Sequence, residues 1–303
     1  AVSEVATLTV APVTTSTDTM LANISTRAVV GRDSAVMIVG IVVGGSTPKN
    51  VFIRAAGPAL SSFGVAGALA NPTMRIVNAS NVTVAENDNW ETQITGTTSA
   101  TIQATASRLG AFQFRAASQD AAVLTTLSPG NYNAIVSGVN STTGIALVEA
   151  YDADPDAATA RTRKLVNIST RGQVNTGDNV LIAGLVVTGP GPRTYLIRAV
   201  GPTLRKSFGV NDALLDPFMQ IYRGETLLRE NDDWDTPSNG MPAIRQAAQR
   251  VGAFAIMEER DTVLRTGLDA VMLITLQPGS YTAKVSGFEG ATGVALIEIY
   301  EIP

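Results

Sequence analysis

The pentapeptide Asn-Ile-Ser-Thr-Arg occurs twice in the chain, at residues 23–27 and 167–171. Each copy sets a hydroxyl beside a guanidinium inside an Asn-x-Ser/Thr sequon, a triplet found again at Asn78, Asn81 and Asn140. A nucleophilic serine needs a base to take its proton. The 303 residues include no histidine and no cysteine, which removes the commonest base, thiolate metal sites and disulfides. Ser25 and Ser169 therefore have no evident activating group. Sequons matter in a eukaryotic secretory pathway and arise by chance in Asn/Ser/Thr-rich chains. The motif reads as a short strand with Ile24 or Ile168 turned inward and Arg27 or Arg171 reaching a carboxylate or strand-end carbonyls.

A second repeated phrase is Glu-Asn-Asp-x-Trp, at 86–90 and 230–234. Asn87, Asp88, Asn231, Asp232 and Asp233 gather the hard oxygen donors that calcium takes, but too few to complete its shell and without the alternating spacing of a calcium loop. Trp90 and Trp234 offer a sugar-stacking surface of the kind a glycan-binding module uses. The competing reading is an Asx-type turn whose tryptophan packs on the fold. Glu149 and Glu298 recur near the chain ends of the two copies, but acid–base catalysis needs a second carboxylate at a set separation. Arg54 and Arg198 are placed to meet them as structural ion pairs. The expectation is no catalytic residue and no cofactor, with calcium as the one metal to consider.

These phrases belong to a longer repeat. Leu21–Val43 matches Leu165–Val187, Ile53–Leu60 matches Ile197–Leu204, and after an insertion in the second copy Leu127–Gly138 matches Leu276–Gly287. A repeat of this length is a whole domain. The chain divides into an N-terminal arm (1–20), a first module (21–152), a polar linker (153–164) and a second module (165–303). Strand signals dominate: β-branched runs at 35–43 and 179–187, each broken by one glycine (Gly40, Gly184) suited to a bulge or close approach, and alternating stretches after Pro-Gly turns. Ile102, Ala106, Leu109 and Ile244, Ala248, Val251 lie at helical spacing and stop at Gly110 and Gly252. The expected class is all-β: two tandem homologous β-sandwich, jelly-roll-like domains, each with one short helix, preceded by an extended strand.

The arm has no counterpart in the second copy. Among its apolar residues Val5, Ala6, Leu8, Val10 and Val13, Ala6, Leu8 and Val10 alternate with Thr7 and Thr9 until Pro12 interrupts the pattern, and a lone strand must pair with a sheet edge to be stable. It folds back on its own domain or adds to the sheet of a neighbouring copy; the latter contact is head to tail and, unless it closes, makes a filament. Charged residues are only 16% of the chain and the net charge is −4. A weakly charged, nowhere basic surface argues for homopolymeric contacts and against nucleic acid or anionic membranes. No apolar run is long enough for a spanning helix. The opening Ala-Val-Ser-Glu, without an initiator methionine, reads as the start of an exported or a trimmed chain, and the expected location is extracellular or on the cell surface.

Taken as a set, "NISTR", "IRAxGP", "NDxW", "PGxYxAxVSG" and "TGxALxExY" resemble a tandem β-sandwich module of secreted and surface proteins of environmental bacteria, a family without settled function. "PGSYTAKVSG" is more weakly similar to bacterial pre-peptidase C-terminal domains. The arm resembles donor-strand filament subunits only in principle. These resemblances imply an extracellular β-sandwich and transfer no catalytic residue. The leading expectation is a self-assembling structural subunit, not an enzyme; the alternative is an adhesion or carbohydrate-binding module using the Asn-Asp-x-Trp loops.

Overall fold

The computed structural model describes residues 20–94, 96–154, 163–235, 240–257 and 268–302. The arm positions Val5, Ala6, Leu8, Val10 and Val13 lie outside them. The described chain is mostly β, with sixteen strands, and its paired strands run antiparallel. In the first repeat these are β1 (Met20–Val30), β2 (Met37–Gly45), β3 (Lys49–Ala56), β4 (Pro72–Asn78), β5 (Thr83–Asn87), β6 (Ala121–Leu127), β7 (Gly130–Gly138) and β8 (Gly144–Asp152). In the second they are β9 (Arg163–Val174), β10 (Leu181–Thr188), β11 (Arg193–Val200), β12 (Pro217–Arg223), β13 (Thr226–Asn231), β14 (Ala270–Leu276), β15 (Gly279–Gly287) and β16 (Gly293–Glu301).

Within each repeat two half-sheets form, β6-β3-β8-β1 with β5-β4-β7-β2, and β14-β11-β16-β9 with β13-β12-β15-β10. The repeats then exchange partners. β1 pairs with β10 of the second repeat, and β9 pairs with β2 of the first. Two long ladders result, β6-β3-β8-β1-β10-β15-β12-β13 and β14-β11-β16-β9-β2-β7-β4-β5, joined where Val29 pairs with Gln173. One core runs through both repeats, from Ile24, Ile41, Ile53 and Val136 to Leu185, Ile197, Val285 and Ile297. The alternation of β2 and β10 explains it: each buries every second residue, Met37, Val39, Ile41, Val43 and Leu181, Ala183, Leu185, Val187, and turns the others outward.

Short helices cover the outer faces. The first, α1 (Ser99–Arg108), starts at Thr98, whose Oγ1 accepts from the Thr101 amide at 3.1 Å, and buries Ile102 and Ala106. Its counterpart α3 (Met241–Arg250) buries Ile244 and Ala247. Both stop where the spacing predicts, at Gly110 (φ 71°) and Gly252 (φ 67°), with the following amide closing the last turn: Ala111 N donates to Ala106 O and Ala253 N to Ala248 O, each at 2.9 Å. The Gly-Pro pairs open further helical turns rather than simple bends: a 3-10 segment over Pro58–Phe63 and α2 (Pro202–Phe208). Gly57 and Gly201 are required there, because a Cβ would run into the Leu69 or Leu214 carbonyl oxygen.

Candidate functional site

The Asn-Asp-x-Trp loops are structural clamps. Asn87 sits at the end of β5 and is 2% exposed. Its Oδ1 accepts from the Ala122 amide at 3.0 Å, and its Nδ2 donates to Asn89 O and Thr92 O at 3.1 and 2.9 Å. Asn231 repeats this, accepting from Val271 N and donating to Asp233 O, both at 2.8 Å. Each asparagine thereby ties its edge strand to β6 or β14 in the facing half-sheet, consistent with the strong preference of buried polar groups for partners. Asp232 accepts from Asp233 N at 3.0 Å and Asp233 from Leu268 N at 2.8 Å, while Asp88 is exposed. The oxygens weighed as calcium donors are largely spent on backbone amides. Among the described residues no group of three or more acidic, His or Cys side chains is placed to hold a metal.

The tryptophans correct the glycan reading directly. Trp90 and Trp234 are each 1% exposed. Trp90 Nε1 donates to Ser118 Oγ at 3.2 Å, and Trp234 Nε1 donates to Met257 O at 2.9 Å. A ring enclosed in the layer between helix and sheet has no face for a sugar; both form the anchors of that layer, with Ile102 and Phe114 or with Ile244 and Met257.

Glu149 and Glu298 pair with Arg54 and Arg198, as the sequence suggested. Arg54 Nε donates to Glu149 Oε2 at 3.0 Å, its Nη2 donates to the same oxygen, and Nη1 donates to Phe112 O at 2.5 Å. The other oxygen, Oε1, accepts from Tyr151 OH at 2.7 Å. Arg54 is stacked 4.3 Å from the Phe112 ring centroid. In the second repeat Arg198, Glu298, Tyr300 and Phe254 reproduce the arrangement. Burial is the main cause that pushes the Tyr151 phenol up, with the Glu149 charge adding to it. Every polar end is used, which suits a structural pair better than an acid–base couple.

Sequence reasoning missed Asp120 and Asp269, both 0% exposed. Asp120 Oδ1 accepts from Gly57 N (2.7 Å) and Ala59 N (3.2 Å); Asp269 Oδ1 accepts from Gly201 N (2.8 Å) and Thr203 N (3.3 Å). They satisfy the first amides of the Gly-Pro helical turns. Burial raises the Asp269 carboxyl above its ordinary range, opposed by its hydrogen bonds from Thr203 and Gly201. The legible signal was the repeated Asp-Ala pair at 120–121 and 269–270.

The Asn-Ile-Ser-Thr-Arg motif forms the seam between repeats. Ser25 pairs with Gly184 and Ser169 with Gly40. A Cβ on either glycine would strike the serine Oγ opposite, so close approach is the role of both glycines. Thr26 and Thr170 meet across the approximate dyad, hydroxyl to hydroxyl, at 2.8 Å. Ile24 lies in the core, and Arg27 reaches the Asp178 carbonyl at 3.4 Å. Burial lowers the Arg27 guanidinium, with Asp178 opposing.

Beside this seam is an outer groove of about 470 Å³. Ser25, Arg27 and Gly184 line it, with Phe63 and Phe112 from the first repeat and Glu225 and Tyr281 from the second. At the far ends of the ladders lie the edge strands β5 and β13, each hydrogen-bonded to one strand only among the described residues. Val84 on β5 is 40% exposed, and its counterpart Leu228 on β13 is 44% exposed beside Leu227 at 43%. A register shift at each of these positions marks a bulge.

No family model matches the chain, and no curated protein matches it. Among solved structures, it is similar to a DUF4785 family protein from Legionella pneumophila, at 7% identity and a TM-score of 0.23 over 93% of this chain and 82% of that one. A likeness at that level carries no argument. The fold is that of an all-β, sandwich-like protein built from an internally duplicated unit.

Proposed function

We propose that the protein is an extracellular structural subunit, without catalytic activity, that self-assembles head to tail into a filament or surface layer. Its N-terminal segment adds a strand to a neighbour's sheet. The observation that carries this reading is the β13 edge. Among the described residues Thr226–Asn231 has a strand partner on one side only; none of its residues is buried, and it presents two adjacent leucines. Unpaired backbone groups and apolar side chains on such an edge template another strand, and the single bulge at Leu228 interrupts this edge at one position. Arg229 and Glu230 leave it accessible by bending back to Leu273 O and Gln220. The alternating Ala6, Leu8 and Val10 supply the apolar half of a match, and the low charge of the chain limits repulsion between copies. The test is removal of residues 1–20. Sedimentation and electron microscopy should show polymer for the full chain and monomer for the truncated one; equal assembly by both would end the donor-strand proposal.

A second reading, a binding module, is favoured by the seam groove, whose size lies within the range of small-molecule sites. It moves the binding surface from the Asn-Asp-x-Trp loops to Phe63, Phe112 and Tyr281. A glycan and metabolite panel would support it if binding occurs and is lost on Phe63→Ser, and would exclude it if no ligand binds.

A further inference from the structure

A buried triad at the start of β3 has no part in the seam, the clamps or the edges. Lys49 opens β3, and its side chain is 0% exposed. Its Nζ lies 2.6 Å from Asp152 Oδ2 and 3.0 Å from Asp154 Oδ2. The Asp154 side chain is 1% exposed and that of Asp152 15%. Backbone amides fix both acids: Asn50 N donates to Asp154 Oδ1 and Asp154 N donates to Asp152 Oδ1, each at 3.1 Å. The segment leaving β8 is held against β3 by Ala153 N donating to Asn50 O at 3.0 Å.

An amine held at hydrogen-bond distance from a carboxylate, away from bulk water and beside a second proton carrier, has the geometry for condensation as well as for ion pairing. We propose that Lys49 and Asp154 form an intramolecular amide. Lys49 passes one proton to Asp154 Oδ2, giving an amine and a carboxylic acid. The Nζ lone pair then forms a bond to Asp154 Cγ, and the second proton leaves nitrogen for Asp152. Negative charge collects on Oδ1, where the Asn50 amide donates. When the carbonyl re-forms, the Cγ–Oδ2 bond breaks, the hydroxyl takes the proton back from Asp152, and water departs. One ammonium and one carboxylate become one amide and one water; nothing is oxidised or reduced. Asp152 is returned as a carboxylate.

The second repeat provides an internal comparison. Arg193 stands at the position of Lys49, its side chain is 40% exposed, and its Nε is 3.7 Å from Glu301. A guanidinium there has neither the enclosure nor the nucleophilicity of the lysine amine. The cross-link is thus a property of the first repeat alone. In a chain without cysteine it would lock β3 to the exit of β8, where the polypeptide passes toward the second repeat.

Intact-mass spectrometry of the denatured full-length protein tests this independently of any assembly. The expected mass is one water below the sequence mass, with fragment spectra joining Lys49 to Asp154. Lys49→Arg should return to its own sequence mass, Asp152→Asn should keep most of the protein uncondensed, and Asp154→Asn should lose ammonia in place of water. Circular dichroism of each variant confirms that it has folded. Full sequence mass in the folded wild-type protein would overturn the proposal. So would a water loss that survives Lys49→Arg, a link that maps to Asp152, or condensation unaffected by Asp152→Asn.

Discussion

Replacing Glu149 by glutamine keeps the side-chain shape and the contact to Tyr151 but removes the charge facing Arg54. Arg54 is 1% exposed and would remain a buried cation. Breaking one partner of such a pair costs about 3–5 kcal/mol, because the remaining charge is uncompensated. Arg54 keeps its bond to Phe112 O and its stacking on Phe112 at 4.3 Å and Phe114 at 4.6 Å, which places the expected cost near the lower end, about 3 kcal/mol. At about 2–4 °C per kcal/mol for a chain of this order of size, the melting temperature should fall by roughly 6–12 °C. Urea unfolding would show a lower midpoint with an unchanged slope. Replacing both partners by methionine should recover most of the loss, since an apolar pair of similar volume removes the stranded charge. A single substitution costing under about 1 kcal/mol, in the range of exposed pairs, would refute this reasoning. So would a double variant as unstable as the single one.

Gly184→Val should destabilise by about 1–3 kcal/mol through the clash with Ser25, and adding Ser25→Ala should restore part of it; equilibrium unfolding of the two variants checks this. Trp90→Ala should cost about 3–5 kcal/mol of stability and leave any glycan binding unchanged, as calorimetry and an array would show. Asp269 has a raised folded-state carboxyl, so the folded form favours its protonated state, and its contribution to stability falls as pH rises from below the unfolded value of 3.8 through the folded value. As pH rises above 3.8 the wild type should therefore lose stability relative to Asp269→Asn until the raised folded-state carboxyl has ionised, with denaturation midpoints against pH as the readout.

The repeats, the strand-rich class and the helix stops at Gly110 and Gly252 were legible because periodicity and glycine position report local structure. Strand exchange was not. Ser25 opposite Gly184 and Ser25 opposite Gly40 present the same residues, so a duplicated sequence cannot distinguish pairing within a repeat from pairing between repeats. The Asn-Asp-x-Trp loops left a ligand reading open beside the Asx-turn one for a related reason. Asn87 and Trp90 carry groups that bind ligands when exposed, and only the packing of α1 over β3 and β6 shows that they face inward. The helical turn that Gly-Pro starts depends on Asp120 or Asp269, many residues further along the chain, so the dipeptide alone does not reveal it.

Assembly through the arm is most directly measured by disulfide trapping, for which a chain without cysteine gives a clean background. Leu8→Cys and Leu228→Cys in one chain, oxidised under assembling conditions, should give a ladder of covalent multimers on a denaturing gel, collapsing on reduction and absent from either single variant. An internally linked monomer, or no link beyond that of the single variants, would contradict strand addition between copies.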